Sequence, residues 1–229
     1  MLSKNLRALT AEFVGTLLFV FLGAGSVVAF AAAGPAAASI GTLGVALAHG
    51  VALAIVVSMT MNISGGHINP AVTTGLWIAD KIGGRTALQY ILAQLLGAVV
   101  GAALIKGILP EPAVTLARAG TPHLAADVTF MQGIWIEAIL TFFLVSAVFG
   151  TAVSPEAPRI GGWGIGLAVF VDALVGGGLT GAAMNPARAF GPAVISVTWS
   201  GQAVYWIGPL LGAAVAAALW KAILLPRTR

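Results

Sequence analysis

Apolar residues in this chain form long runs, and polar residues are largely confined to the gaps between them. A helix crossing a bilayer needs about 20 mostly apolar residues. Six runs are read as spans: about Leu6 to Phe30, Gly41 to Met61, Thr86 to Leu109, Phe130 to Val153, Trp163 to Val175, and Ala203 to Leu225. The fifth runs into a Gly176-Gly177-Gly178 break. The gaps read as turns: an uncharged loop around Gly34-Pro35, a polar turn from Asp80 to Arg85, a longer connection Pro110 to Val128, and a turn from Ser154 to Gly162. Two more apolar stretches are too short to cross. One follows Asn69-Pro70-Ala71 and ends near Ile78; the other follows Asn185-Pro186-Ala187, 116 residues later. Asn is a favoured N-cap, and Pro suits the first helical position, where its missing N–H is no loss. Each tripeptide therefore predicts the start of a short helix, entered through a lead: Ser64-Gly65-Gly66-His67-Ile68 in one case, Thr180-Gly181-Ala182-Ala183-Met184 in the other.

The repeat extends beyond the tripeptides. Ala11-Glu12 with Thr16 resembles Ile136-Glu137 with Thr141, and Tyr90 to Val99 resembles Tyr205 to Ala214. Each half thus holds three spans and one half-helix. Three is odd, so the second half enters the membrane from the opposite side, the inverted repeat in which interrupted helices meet near the midplane. The expected fold is all-α and membrane-embedded: six transmembrane helices plus two re-entrant half-helices, one domain over 1–229, with repeats about 1–109 and 130–229 joined by loop 110–129.

Composition agrees. Of 229 residues 59% are hydrophobic and 8% charged, against roughly 25% charged in soluble domains. The absence of cysteine excludes disulfides and thiolate metal sites. The basic residues are scattered at helix ends rather than gathered in a patch, so nucleic acid is not an expected partner; the bilayer is. No nucleotide motif, catalytic dyad or metal-ligand spacing appears, so neither an enzyme nor a cofactor is expected. The first apolar run reads as a retained helix rather than a signal peptide. Lys4, Arg7, Lys81, Arg85, Arg159, Lys221, Arg227 and Arg229 fall on one side, and only Lys106 and Arg118 lie in loops on the other. The positive-inside rule then puts both termini in the cytoplasm, and the compact termini suggest a prokaryotic plasma membrane.

Six spans, paired Asn-Pro-Ala half-helices, the stretch Ser64 to Thr73 and the run Asn185-Pro186-Ala187-Arg188 together resemble the major intrinsic protein family, the aquaporins and aquaglyceroporins. The resemblance covers nearly the whole chain. It implies one pore per protomer, a homotetramer, and passive conduction of water and small neutral solutes with exclusion of protons and ions. It also implies an outer filter at His49, Ala173, Ala182 and Arg188. Water-only members usually have an aromatic and a His at the first two positions, and glycerol facilitators two aromatics with Asp after the Arg. Here Ala189 follows Arg188, and two alanines imply a wider, fairly polar aperture. His at the second-span position is similar to vacuolar-type and ammonia-permeable aquaporins, from which Ala173 departs. In some vacuolar-type members a loop His, here His123, reaches over the filter and props the Arg aside. Ammonia is the first expected solute beside water, then hydrogen peroxide or urea.

The other polar residues carry structural readings as well. Glu12 and Glu137 are expected to brace the leads 62–68 and 178–184, with Gln94 as a further brace. His67 is expected to offer its carbonyl to a ladder of acceptors, its ring packed aside. A neutral His49 could donate to one solute and accept from another. Asp172, beside Ala173, is either a hydrogen-bonded buried acid off the pore or a group that tunes the filter. Trp135, Trp163, Trp199 and Trp206 near span ends suit interfacial anchoring. The alternatives are a glycerol or small-polyol facilitator and, with less support, a secondary transporter, which also uses inverted repeats. Short extramembrane loops argue against a junctional role.

Overall fold

The computed structural model describes residues 3–34 and 40–226. Pro35 of the expected first loop, and Arg227 and Arg229 of the basic tail, lie outside the described residues. Among the described residues the chain forms nine α-helices and no strand: α1 (Lys4–Ala32), α2 (Gly41–Thr60), α3 (Pro70–Ile78), α4 (Gly84–Ile108), α5 (Glu111–Leu116), α6 (Phe130–Val148), α7 (Trp163–Gly176), α8 (Pro186–Ser196) and α9 (Val204–Leu219). The helices α6 and α9 each run on through a π-helical turn, Phe149–Val153 and Trp220–Leu224, where the Phe149 and Trp220 rings stack 5.9 Å apart. With those turns, five helices among the described residues are long and apolar enough to cross a membrane.

The fifth span, α7, ends within a residue of its expected bound and, with 14 residues, is short of the usual span. It achieves depth by lying along α2. The Gly162 N–H donates to Ser58 Oγ at 2.9 Å, and Gly177 at the far end lies against Thr42. Midway, Gly50 and Gly166 meet so closely that a methyl group at Gly166 would strike the Gly50 carbonyl. The connection 110–129, expected as loop, contains α5 and a 3-10 turn Arg118–Gly120.

The inverted repeat is visible in the packing. In one half α1 lies on α4 and in the other α6 lies on α9, while α2 against α7 joins the halves. Each half-helix inserts into the opposite half, α3 chiefly on α9 and α8 chiefly on α4. Matched glycines permit the approach: Gly97 sits on the Phe13 carbonyl and Gly212 on the Ala138 carbonyl. Small residues of this kind let membrane helices pack by contact of their backbones. The outer surface is apolar, with Leu22, Leu47, Leu96, Ile139, Leu167 and Val215, on six different helices, all exposed. Glu12, Thr16, Gln94, Glu137 and Thr141 are instead fully buried.

Lys4 and Arg7 share a cleft with Asn62 and Ile63, and Lys221 pairs with Asp80 and donates to the Ile78 carbonyl. The start of α1, the end of α9 and the end of α3 therefore share one face.

Candidate functional site

The two Asn-Pro-Ala segments cap their helices as the residue types require. Asn69 Oδ1 accepts from the Ala71 N–H at 2.8 Å, and Asn185 Oδ1 accepts from the Ala187 and Arg188 N–H groups at 3.0 and 3.2 Å. Each Asn also crosses to the other half: Asn69 Nδ2 donates to the Met184 carbonyl at 2.9 Å, and Asn185 Nδ2 donates to the Ile68 carbonyl at 3.0 Å. An amide nitrogen carries two protons, so each Nδ2 keeps one for a further partner. Ile68 and Met184 adopt φ of 55° and 50°, a left-handed backbone disfavoured for such side chains. The crossed amides and the caps hold them there.

Behind each lead stands a buried glutamate. Glu12 Oε1 accepts from Ser64 Oγ at 2.6 Å and the His67 N–H at 2.9 Å, and Oε2 accepts from the Ile68 N–H at 2.8 Å. Glu137 Oε1 accepts from Thr180 Oγ1 at 2.6 Å and the Ala183 N–H at 3.0 Å, and Oε2 accepts from the Met184 N–H at 2.7 Å. Tyr90 donates to the Ser64 carbonyl at 2.9 Å, and its repeat partner Tyr205 donates to the Thr180 carbonyl at 2.7 Å. These tyrosines marked the repeat in the sequence, but their role in holding the leads was not read there. Gln94 Nε2 bridges Glu12 Oε2 and Thr73 Oγ1 at 2.8 and 2.9 Å. That brace belongs to one half only, because Pro209 and Ala189 occupy the matching positions.

This geometry decides where the carbonyls point. In a planar trans peptide the C=O of one residue is opposed to the N–H of the next, and no cis bond is present among the described residues. The N–H groups of His67, Ile68, Ala183 and Met184 turn towards the glutamates. The carbonyls of Gly66, His67, Ala182 and Ala183 consequently turn away from them.

On that side lies a narrow lumen with room for about 20 Å³, bounded by both leads, Asn69, Asn185, His49 and an apolar wall that includes Phe19, Leu53 and Val169. It opens at one end, past His49 and Ala182, into a cavity of about 220 Å³. At the other end, past Gly66 and His67, it opens into one of about 270 Å³. The lumen thus shares lining residues with a wider cavity at each end.

Where the lumen meets the 220 Å³ cavity, the four expected filter residues come together. His49 Nδ1 lies 2.9 Å from the Val45 carbonyl, which can only accept, so that nitrogen carries the proton. His49 Nε2 then accepts from Arg188 Nη2 at 3.1 Å, and Arg188 Nη1 donates to the Gly120 carbonyl at 2.8 Å. Both ring nitrogens are thus engaged within the protein, which corrects the expectation of an imidazole free to donate to one solute and accept from another. Ala173 and Ala182 complete the ring of residues, and Ala182 adopts φ 45° where its repeat partner Gly66 has φ 62°. Left-handed backbone at a non-glycine costs of order 1–3 kcal/mol and is commonest at functional positions.

His123 is exposed and lines the 220 Å³ cavity. Among the described residues it makes no hydrogen bond to Arg188, so the expectation that it props the Arg aside is corrected: the Gly120 carbonyl and His49 hold the guanidinium. Gly120 was not singled out in the sequence, although its φ of 79° and its approach to the Ala24 carbonyl require a glycine there. The His67 ring is not simply set aside. Its Nδ1 is 3.1 Å from Thr73 Oγ1, it meets Tyr90 edge-on, and it borders the lumen and the 270 Å³ cavity. Asp172 is buried, borders none of the three spaces, and its Oδ2 has no partner among the described residues.

Comparison with known proteins agrees with this arrangement. The family described as MIP, major intrinsic protein, matches residues 2–220. Aquaporin TIP1-2 of Zea mays is 44% identical over 95% of this chain and 85% of its own length. Aquaporin TIP2-1 of Arabidopsis thaliana is 42% identical over 94% and 86%. In fold, the chain is similar to the aquaglyceroporin from Plasmodium falciparum, with a TM-score of 0.84 at 24% identity over 96% of this chain and 97% of that one. These TIP relatives are plant membrane proteins and overturn the expectation of a prokaryotic plasma membrane; the integral, multi-pass character stands. A matching family over nearly the full length, close relatives and an axial lumen between two capped half-helices lead to one conclusion: the chain belongs to the major intrinsic protein family and is an aquaporin-type membrane channel, not an enzyme.

Proposed function

We propose that this channel conducts water and ammonia passively in single file and excludes protons and ions. The observation that carries the reading is a narrow lumen that shares its lining with a wider cavity at each end, with two Asn amides and the carbonyls of both leads on one side and apolar side chains elsewhere. Carbonyl acceptors and amide donors replace part of a neutral solute's hydration. The apolar wall gives nothing to hold it, so passage stays fast. Two half-helix N-termini, each equivalent to roughly half a positive charge, face the midpoint and oppose cations, as does Arg188.

Ammonia follows from the filter. Ala173 and Ala182 present methyl groups at two of its four positions, which leaves width, and Arg188 is held to one side by two acceptors. With both His49 nitrogens occupied, the aperture offers few polar groups that a polyol could use. Hydrogen peroxide and urea rank below ammonia, and glycerol below both. The assembly is proposed to be a homotetramer with a pore in each protomer, in keeping with the family.

Stopped-flow measurement on proteoliposomes tests the ranking. An ammonia gradient should alkalinise the lumen faster than in protein-free vesicles, while glycerol swelling stays near the protein-free rate. Glycerol uptake well above that rate, with no gain for ammonia, would replace this reading with the glycerol-facilitator one.

A further inference from the structure

Away from the pore, on the face opposite the start of α1 and the end of α9, a cavity of about 250 Å³ lies between the end of α4, α5 with the segment after it, and the end of α8. Lys106 and Arg118 both border it. Among the described residues they are the only two Lys or Arg residues on that face apart from Arg188 in the pore, so the fold gathers the exposed positive charge of that face at one place. Among the described residues neither has an ion pair or a side-chain hydrogen bond. The neighbouring hydroxyls are already committed. Thr115 donates to Glu111 at 2.9 Å, and Thr121 donates to the Arg118 carbonyl at 2.6 Å while pairing with Ser196 at 2.9 Å. Two cations are left as the cavity's free donors.

The cavity's shape comes from unusual backbone. Arg118, Ala119 and Val197, all non-glycine, adopt φ of 49°, 52° and 55°, and all three border it. Its surroundings are apolar: Ile108, Leu116 and Val197 are large and exposed, Val197 at 76%. Two unpaired cations within an apolar rim at the end of a membrane helix suit an anionic group whose own tail is apolar. A guanidinium matches phosphate oxygens in a fork, and a lysine adds a point charge.

We propose that this cavity holds the phosphate headgroup of an anionic lipid, and that the bound lipid steadies the filter. The coupling runs through the chain itself. Arg118 is two residues from Gly120, whose carbonyl holds Arg188, and Ser196 at the cavity edge lies on α8, the helix that carries Arg188. A headgroup clamped by Arg118 pins the segment whose displacement would release the guanidinium. The binding claim is independent of which solute the pore passes.

The test uses the full-length protein and a Lys106→Gln/Arg118→Gln double variant. Native mass spectrometry with phosphatidylglycerol should show wild-type lipid retention falling by about tenfold or more in the double variant, the loss of two interfacial cations. The charge-preserving Lys106→Arg/Arg118→Lys pair should retain the lipid. Water permeability of wild type relative to the double variant should be near equal in phosphatidylcholine vesicles and diverge when phosphatidylglycerol is added. Equal lipid retention in wild type and double variant would overturn the site. Displacement of the lipid by millimolar inorganic phosphate would overturn the lipid as its occupant. Retention without any headgroup effect on permeability would overturn the coupling.

Discussion

Arg188 and His49 hold each other across the outer end of the lumen, Nη2 donating to Nε2 at 3.1 Å, while the Gly120 carbonyl takes Nη1 at 2.8 Å. The imidazole therefore acts first as a support for the guanidinium and only then as part of the wall.

His49→Ala removes that support and the ring together. A hydrogen bond involving a charged group is worth about 1.5–3 kcal/mol, enough for Arg188 to leave its position for much of the time. The flux of urea and glycerol relative to water is expected to rise, read by swelling in each solute. An unchanged ratio would mean that Gly120 alone fixes the guanidinium.

Glu137→Gln places an amide NH₂ where the carboxylate accepts from Thr180, Ala183 and Met184. At least one of those buried donors then loses its acceptor, at a cost of about 1–3 kcal/mol. The variant should melt at a lower temperature in detergent and conduct less water. Glu12→Gln should behave alike, since Ser64, His67, Ile68 and Gln94 all donate to Glu12.

Two glycines of α4 should respond in opposite ways to alanine. At Gly97 the added methyl collides with the Phe13 carbonyl, whereas at Gly107 it meets open space. Overpacking costs typically about 1–3 kcal/mol, and an open helical Gly→Ala gains about 1 kcal/mol. Thermal melting of the two variants should therefore move in opposite directions.

Much of this was legible because a bilayer leaves few choices. Only helices or closed barrels satisfy a backbone in lipid, so six spans and two half-helices could be read from run length and the Asn-Pro capping chemistry. The positions of Asn69, Asn185, Glu12 and Glu137 were legible because the repeat displays each twice. What escaped is what the repeat does not duplicate. The close approach of α7 to α2 at Gly50 and Gly166 is a contact between distant runs and leaves no local pattern. The hold on Arg188 depends on the Gly120 carbonyl; glycine is required there, since φ is 79° and a Cβ would strike the Ala24 carbonyl, but that contact between distant runs leaves no local pattern. His123 looked suited to that role because a ring near a filter suggests contact, yet the loop places it at the wall of the outer cavity.

Asn69→Asp keeps the oxygen that caps α3 but removes the amide that donates to the Met184 carbonyl, and it puts an anion where two half-helix N-termini converge. The barrier to cations should fall. Sodium or proton leak in proteoliposomes, negligible for the unaltered protein, is expected to become measurable, and a leak equal to that of the unaltered protein would show that the barrier lies elsewhere.

The most direct test is the osmotic water permeability of proteoliposomes containing the unaltered protein, compared with an Ala182→Trp variant that fills the junction of lumen and outer cavity. The unaltered protein should raise permeability well above that of empty vesicles, with a shallow temperature dependence and no ionic current, and Ala182→Trp should abolish most of the increase. Permeability no higher than that of empty vesicles, or an increase that Ala182→Trp leaves intact, would contradict conduction through this lumen.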